Sequence, residues 1–227
     1  MTAISDWELI KNGFDFSYLL GLLSGIIPSL ICITLHELSH GLVAYRLGDD
    51  TAKRAGRLTL NPLKHLDPIG LLMMLTVHFG YAKPVPVNMY RFKNPKQGMA
   101  ITAVAGPLMN VLITIVFLFL YGLLFRSLGE HNYLMEMIYL TAYLSISFAI
   151  FNIIPISPLD GSKVLFSVLP SERYDQLMRY ERYGMILLLV LVSSGIFGRP
   201  LSTATDWAFD KLFIFAEWGY ELVGAIH

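Results

Sequence analysis

The chain has 227 residues, 55% of them hydrophobic and 15% charged, with Lys plus Arg and Asp plus Glu balanced at 17 each. A mean hydropathy of +0.56 excludes an ordinary water-soluble domain and points to an all-α polytopic membrane protein. Zero net charge offers nothing to nucleic acid, and the single cysteine, Cys32, excludes an internal disulfide and reads as a packed small hydrophobe.

Residues Met1 to Asp15 set Asp6, Glu8 and Asp15 against Lys11, where a cleavable leader would be basic. The first apolar segment is therefore expected to stay and to act as its own insertion signal. It runs from Phe16 to Leu47, long enough to cross a bilayer of about 30 Å, with Pro28 expected to kink it and Gly48 to end it. Near its end stands Thr34-Leu35-His36-Glu37-Leu38-Ser39-His40-Gly41. In a helix, positions four apart share a face, so His36 and His40 can put two imidazole nitrogens on one divalent cation. Glu37 sits one residue round, where its carboxylate reaches a water on the metal without ligating the metal. No charged residue occurs between Tyr18 and Leu35, so a solvated face is not available to these polar groups. Ionisable groups in an apolar span cost several kcal/mol unless paired, which argues for a metal or a packed polar network.

From Arg46 to Gln97 the pattern is mixed. Asn61-Pro62, Asp67-Pro68 and Lys83-Pro84-Val85-Pro86-Val87-Asn88 all interrupt helices. Ile69 to Tyr81 is apolar but too short for a comfortable span, which suits a re-entrant or interfacial piece. Lys-Pro-Val-Pro-Val must be extended, and its prolines withhold amide donors on one side, as an edge strand or polyproline segment beside a groove would. Further helical segments are expected over Met99 to Phe125, with Ala105-Gly106-Pro107 allowing close helix approach and Asn110 needing a partner, over Leu134 to Pro155, and over Tyr183 to Phe197. The tail from Ser202 to His227 is either an interfacial helix or another span. The expected architecture has four to six transmembrane helices, with a small membrane-associated β or re-entrant segment between the first and second full spans. It forms a single domain over 1–227, with a core over 16–182 and additional helices over 183–227.

Lys and Arg placement sets the orientation. The connection after the first span holds Arg46, Lys53, Arg54, Arg57, Lys64, Lys83, Arg91, Lys93 and Lys96. Another holds Lys163, Arg173, Arg179 and Arg182, so thirteen of the 17 basic residues share one side if Ile69 to Tyr81 does not cross. Both loops are expected to be cytoplasmic and the N-terminus outside.

Two histidines do not complete a catalytic zinc site, which has three protein ligands and one open position. The candidates for the third are His65, Asp67, His78, Glu136 and Asp160. The first span and the segment ending at Pro155 both run inward, which brings Asp160 to the level of the histidines and leaves Glu136 at the opposite surface. His65 and Asp67 read as loop residues that cap or pair, and His78 as a packed histidine. Asp160 lies in Pro158-Leu159-Asp160-Gly161, where the proline stiffens the approach and the glycine allows a sharp turn. Asn152, two helical turns earlier, either contacts a substrate carbonyl or satisfies the broken helix end.

Taken together, His36-Glu37-x-x-His40, Gly48-Asp49 with Thr51-Ala52, Gly56-Arg57-Leu58-Thr59-Leu60-Asn61-Pro62, His65-x-Asp67-Pro68, Lys83-Pro84-Val85-Pro86-Val87-Asn88, Ala105-Gly106-Pro107-x-x-Asn110 and Asn152-x-x-Pro155-x-x-Pro158-Leu159-Asp160-Gly161 resemble the site-2 proteases. These are intramembrane zinc metalloproteases, and the likeness is greatest to short prokaryotic members without an inserted PDZ domain. Tyr81 stands where many relatives carry tryptophan. The resemblance implies Zn2+ held by His36, His40 and Asp160, with Glu37 as general base. It also implies a membrane-associated strand at Val85, Pro86 and Val87 that pairs with an unwound substrate, beside Asn152. The implied partners are the lipid bilayer and a membrane-protein substrate with a single span or tail segment, hydrolysed in or near that segment by regulated intramembrane proteolysis. The rival reading is a non-catalytic membrane metal-binding or transport protein, which has no use for Glu37.

Overall fold

The computed structural model describes residues 16–67, 70, 82–129 and 132–225. The expected re-entrant piece over Ile69–Tyr81, with His78, lies outside these residues except at Gly70.

Helix α1, Phe16–Arg46, runs through Pro28 as one element. It stops where expected: Gly48 adopts a φ of 107°, a region open to glycine, and the Gly48 and Asp49 N–H groups close back on the Tyr45 and Ala44 carbonyls at 3.1 and 2.9 Å. A short helix α2, Thr51–Arg54, follows. The polar connection then makes two 3-10 turns, Pro62–Lys64 and Met89–Arg91, each started by an asparagine whose side chain accepts a backbone N–H two residues on. Helix α3, Pro95–Leu128, has proline in its first turn and ends at Gly129, with φ 69°. It is longer at both ends than the apolar run Met99 to Phe125, because those end signals lie outside that run. Helix α4, Tyr133–Ile153, is capped by Asn132, whose side chain accepts from the Leu134 N–H. After the proline-rich turn come α5, Asp160–Ser167, and α6, Ser171–Ser193. Helix α6 starts well ahead of Tyr183, since hydropathy marks only its apolar half. The tail forms α7, Gly198–Leu212, and α8, Ile214–Gly224.

Among the described residues there is no strand, only an isolated antiparallel bridge between Leu66 and Ala82. Lys83 to Val87 carries no regular structure. Pro84 and Pro86 supply no N–H, so one edge of the segment lacks amide donors, and the donors of Lys83, Val85 and Asn88 go to individual acceptors rather than to a neighbouring strand.

Three described helices are long and apolar enough to cross a membrane: Gly25–Arg46, Pro95–Leu128 and Tyr133–Ile153. The segments Tyr183–Ser193 and Gly198–Gly224 meet at 87° and make a fourth if they act as one broken span. The protein is a multi-pass membrane protein. Its α3 shows a lipid-facing pattern: Leu108, Leu112, Val116 and Leu120, four apart on one face, are all exposed, while Gly106, Asn110, Ile113 and Thr114 are buried.

The apolar core lies between α3, α4, α7 and α8, where Leu118, Ala142, Ile146, Ala149, Phe209 and Ala216 pack together. Helices α3 and α8 cross in backbone contact at two glycines. A Cβ on Gly122 would run into the Ala216 carbonyl, and one on Gly219 into the Phe119 carbonyl. The polar centre lies apart from this core, where the C-terminal end of α1, the N-terminal end of α3 and the start of α5 meet.

Candidate metal centre

His36 and His40 stand one turn apart on the buried face of α1, and Asp160 is the first residue of α5; the three are 7%, 8% and 6% exposed. Their ligand atoms close a triangle. His36 Nε2 and His40 Nε2 are 3.0 Å apart, and Asp160 Oδ2 is 3.2 Å from the first and 3.1 Å from the second. Tetrahedral zinc with donors at about 2.0–2.1 Å places its ligands about 3.3 Å from one another, so three corners of such a site are in position.

The protonation pattern fits the same ion. His40 Nδ1 lies 2.7 Å from the Thr102 carbonyl, which only accepts, so Nδ1 carries a proton and Nε2 is the nitrogen turned towards the cluster, free to ligate when that ring is neutral. Lone pairs this close repel unless a proton or a metal cation lies among them. Asp160 Oδ2 accepts no hydrogen bond, whereas Oδ1 faces Lys163 Nζ at 3.5 Å.

Two glycines make room. A Cβ on Gly106 of α3 would overlie His40 Nε2 and come within 2.6 Å of His36 Nε2, so the bare backbone leaves open a cradle that one methyl group would fill. Gly106 thus lets α1 come close, as its sequence context suggested, and the groups it admits are two imidazoles. Gly161 is helical and makes no left-handed turn. Its missing Cβ lets the start of α5 press against the Ile153 and Ile154 carbonyls at the end of α4, which sets Asp160 opposite the histidines.

Glu37 is half-buried beside this cluster. Its Oε2 accepts the Val85 N–H at 2.8 Å, a contact that no reading of the sequence anticipated. The segment carrying Val85 is pinned on both sides: Lys83 N–H donates to the His65 carbonyl at 2.9 Å, Arg57 Nη2 to the Lys83 carbonyl at 2.7 Å, and Asn88 N–H to Asp49 Oδ2 at 2.6 Å. Asp49, Arg57 and His65 are buried, and this scaffolding occupies them. Their signal in the sequence was Asp49 beside Gly48, Arg57 beside Gly56, and His65 three residues before Pro68.

The remaining candidates stand elsewhere. His65 Nε2–H donates to the Thr59 carbonyl at 2.9 Å, and Asp67 Oδ1 accepts the Gly70 N–H at 3.0 Å, as loop residues do. Glu136 is exposed in the first turn of α4, at the end remote from Asp160. Asn152 Nδ2 donates to the Phe148 carbonyl one turn back at 3.0 Å, close to the end of α4. Pro86 and Val87 are half-buried beside Val85.

The family model described as Peptidase family M50 matches residues 126–194, which include Asp160. A Bacillus subtilis protein named "Putative zinc metalloprotease YwhC" is 37% identical over 193 residues, which is 80% of this chain and 83% of that one. The chain belongs to peptidase family M50. This M50 peptidase is also similar to "Putative zinc metalloprotease Rip2" of Mycobacterium tuberculosis, 28% identical over 202 residues, covering 87% of this chain and 73% of that one. "Putative zinc metalloprotease MJ0611" of Methanocaldococcus jannaschii is 32% identical over 163 residues, covering 70% and 79%. No solved structure matches the chain. Membership bears out the resemblance to the site-2 proteases and makes this protein a zinc metalloprotease with Zn2+ as its cofactor.

Proposed function

We propose that this M50 peptidase hydrolyses peptide bonds in or near the transmembrane segment of a membrane-protein substrate. His36, His40 and Asp160 hold the zinc and Glu37 is the general base. The observation that carries this reading is the triangle of His36 Nε2, His40 Nε2 and Asp160 Oδ2, with sides of 3.0 to 3.2 Å. Zinc, when bound, supplies a Lewis acid that activates water at neutral pH and polarises a peptide carbonyl.

The side chains divide the remaining work. Thr102 holds His40 in the tautomer that presents Nε2, and Lys163 draws Asp160 Oδ1 away from the cluster. Glu37 takes a proton from the attacking water and returns it to the leaving amide nitrogen. Its Oε2 is engaged by Val85, so Oε1 is the atom that carries the proton. A helical substrate hides its carbonyls, so it must unwind to be cut, and the outward edge of Val85, Pro86 and Val87, with Asn152 nearby in sequence to Asp160, is where we seat the unwound strand. His40 lies six residues from Arg46, about 9 Å along α1, so water reaches the site from the end bearing the basic loops. That end is cytoplasmic and the N-terminus outside by the distribution of Lys and Arg.

The test is co-expression of a single-span membrane protein with wild type and with Glu37→Gln. Glu37→Gln is expected to keep its zinc and lose cleavage by about 10²-fold or more. A carrier or structural zinc protein would be indifferent to the substitution, and a truncated product equally abundant with both would end the assignment of Glu37.

A further inference from the structure

We infer that Val85 is a positioning residue for Glu37: its backbone N–H, the single donor between two prolines, fixes one carboxylate oxygen and leaves the other for proton transfer. The inference rests on the reading of Glu37 as the base. Pro84 and Pro86 have no N–H and hold the preceding residues out of the helical region, so across Pro84-Val85-Pro86 one amide donor remains and its direction is constrained. That donor lies 2.8 Å from Glu37 Oε2.

The side chain of Val85 reinforces the contact. Gly41 is one turn after Glu37 on the same face of α1, and a Cβ there would come within 3.1 Å of Val85 Cγ1. Val85 is 7% exposed. It therefore touches the Glu37 face of α1 twice, once through its N–H and once by packing over a glycine. The anchors on either side keep it there: Lys83 bonds to the His65 carbonyl and to Arg57, and Asn88 bonds to Asp49. Among the described residues, the Val85 N–H is the donor that reaches the Glu37 carboxylate. A hydrogen bond to a charged carboxylate is among the stronger ones a protein makes and fixes direction as well as distance. The Pro-Val-Pro segment thus serves the chemistry from its inner side, and a substrate strand laid along its outer edge acts on the base through one peptide unit.

The experiment compares Val85→Pro, which removes the N–H, with Val85→Ala, which keeps it and loses the side chain. Both are purified with zinc, and a single-span reporter cleaved by wild type is the probe. Zinc stoichiometry is expected to be the same in the two variants. The kcat of Val85→Pro is expected to fall at least tenfold below that of Val85→Ala, with KM for the reporter within twofold between them. A difference carried by KM with kcat equal would make Val85 a substrate contact and overturn the inference. A second readout needs no turnover: the difference in thermal midpoint between Val85→Pro and Val85→Ala is measured again in a Glu37→Ala background. The difference is expected to shrink by at least half there, and an undiminished difference would overturn the inference. Because this cycle is independent of cleavage, loss of the positioning contact is distinguishable from failure of Glu37 as the base, which Glu37→Gln reports by itself.

Discussion

Gly106 shows how far one absent methyl group reaches. A Cβ at this position would occupy the space in front of both imidazoles, so Gly106→Ala is expected to weaken zinc binding at least tenfold while the helices remain folded, read by metal content after dialysis against a weak chelator. Retention of full zinc would show that the open side of the triangle lies elsewhere. Asp160→Ala is expected to lose zinc in the same assay and Glu136→Ala to keep it, since Asp160 Oδ2 lies 3.1 and 3.2 Å from the two Nε2 atoms and Glu136 is exposed at the other end of α4. The reverse result would move the third ligand. At this scale the sequence showed what depends on local spacing. His36 and His40 share a face because any helix makes them do so, and Asp160 could be ranked first on depth. The roles of Gly106 and of the Val85 N–H were hidden, since a glycine in an apolar run signals close approach without naming the neighbour, and a backbone donor has no residue type at all.

Helices were legible as apolar runs, and their ends where glycine, proline or asparagine marked them. Gly48 ended the first helix where expected, whereas Gly129 and Asn132 mark the end of α3 and the start of α4 beyond the apolar runs that were read. The polar first half of α6 was not legible, because a run that leaves the apolar layer loses the signal by which spans are found. Nor was the pairing of α3 with α8, which depends on two glycines distant in sequence. Gly122→Leu is expected to lower the thermal midpoint by several degrees, corresponding to an overpacking cost of about 1–3 kcal/mol or more, while zinc content is unchanged. A simultaneous loss of zinc would show that the α3–α8 crossing supports the site as well as the core.

Across the whole molecule, three helix ends and one proline-rich segment converge on a single polar centre, and the apolar cluster of Leu118, Ile146 and Phe209 holds the opposite part of the bundle. The rim of this centre is basic and tied down: Arg54 and Arg91 both reach Asp50. Orientation can be tested in a Cys32→Ala background with single cysteines at Lys64 and Asn132, which sit at opposite ends of the bundle. An impermeant maleimide added to intact cells is expected to label Asn132→Cys and to spare Lys64→Cys. Labelling of Lys64→Cys alone would invert the topology and place the zinc site near the outer surface.

Composition and periodicity were enough to choose the membrane as solvent, to pair the histidines on one helix face and to rank the carboxylate, because hydropathy, the helical repeat and depth along two spans running the same way are all local to the chain. Tertiary structure alone decided what closes round them: Gly106 under the imidazoles, Gly161 against the end of α4, and Val85 on Glu37. The first and last are meetings of backbone with side chain across 48 to 70 positions, and the second is a backbone contact across a proline-rich turn; neither periodicity nor composition carries the distance between two such points.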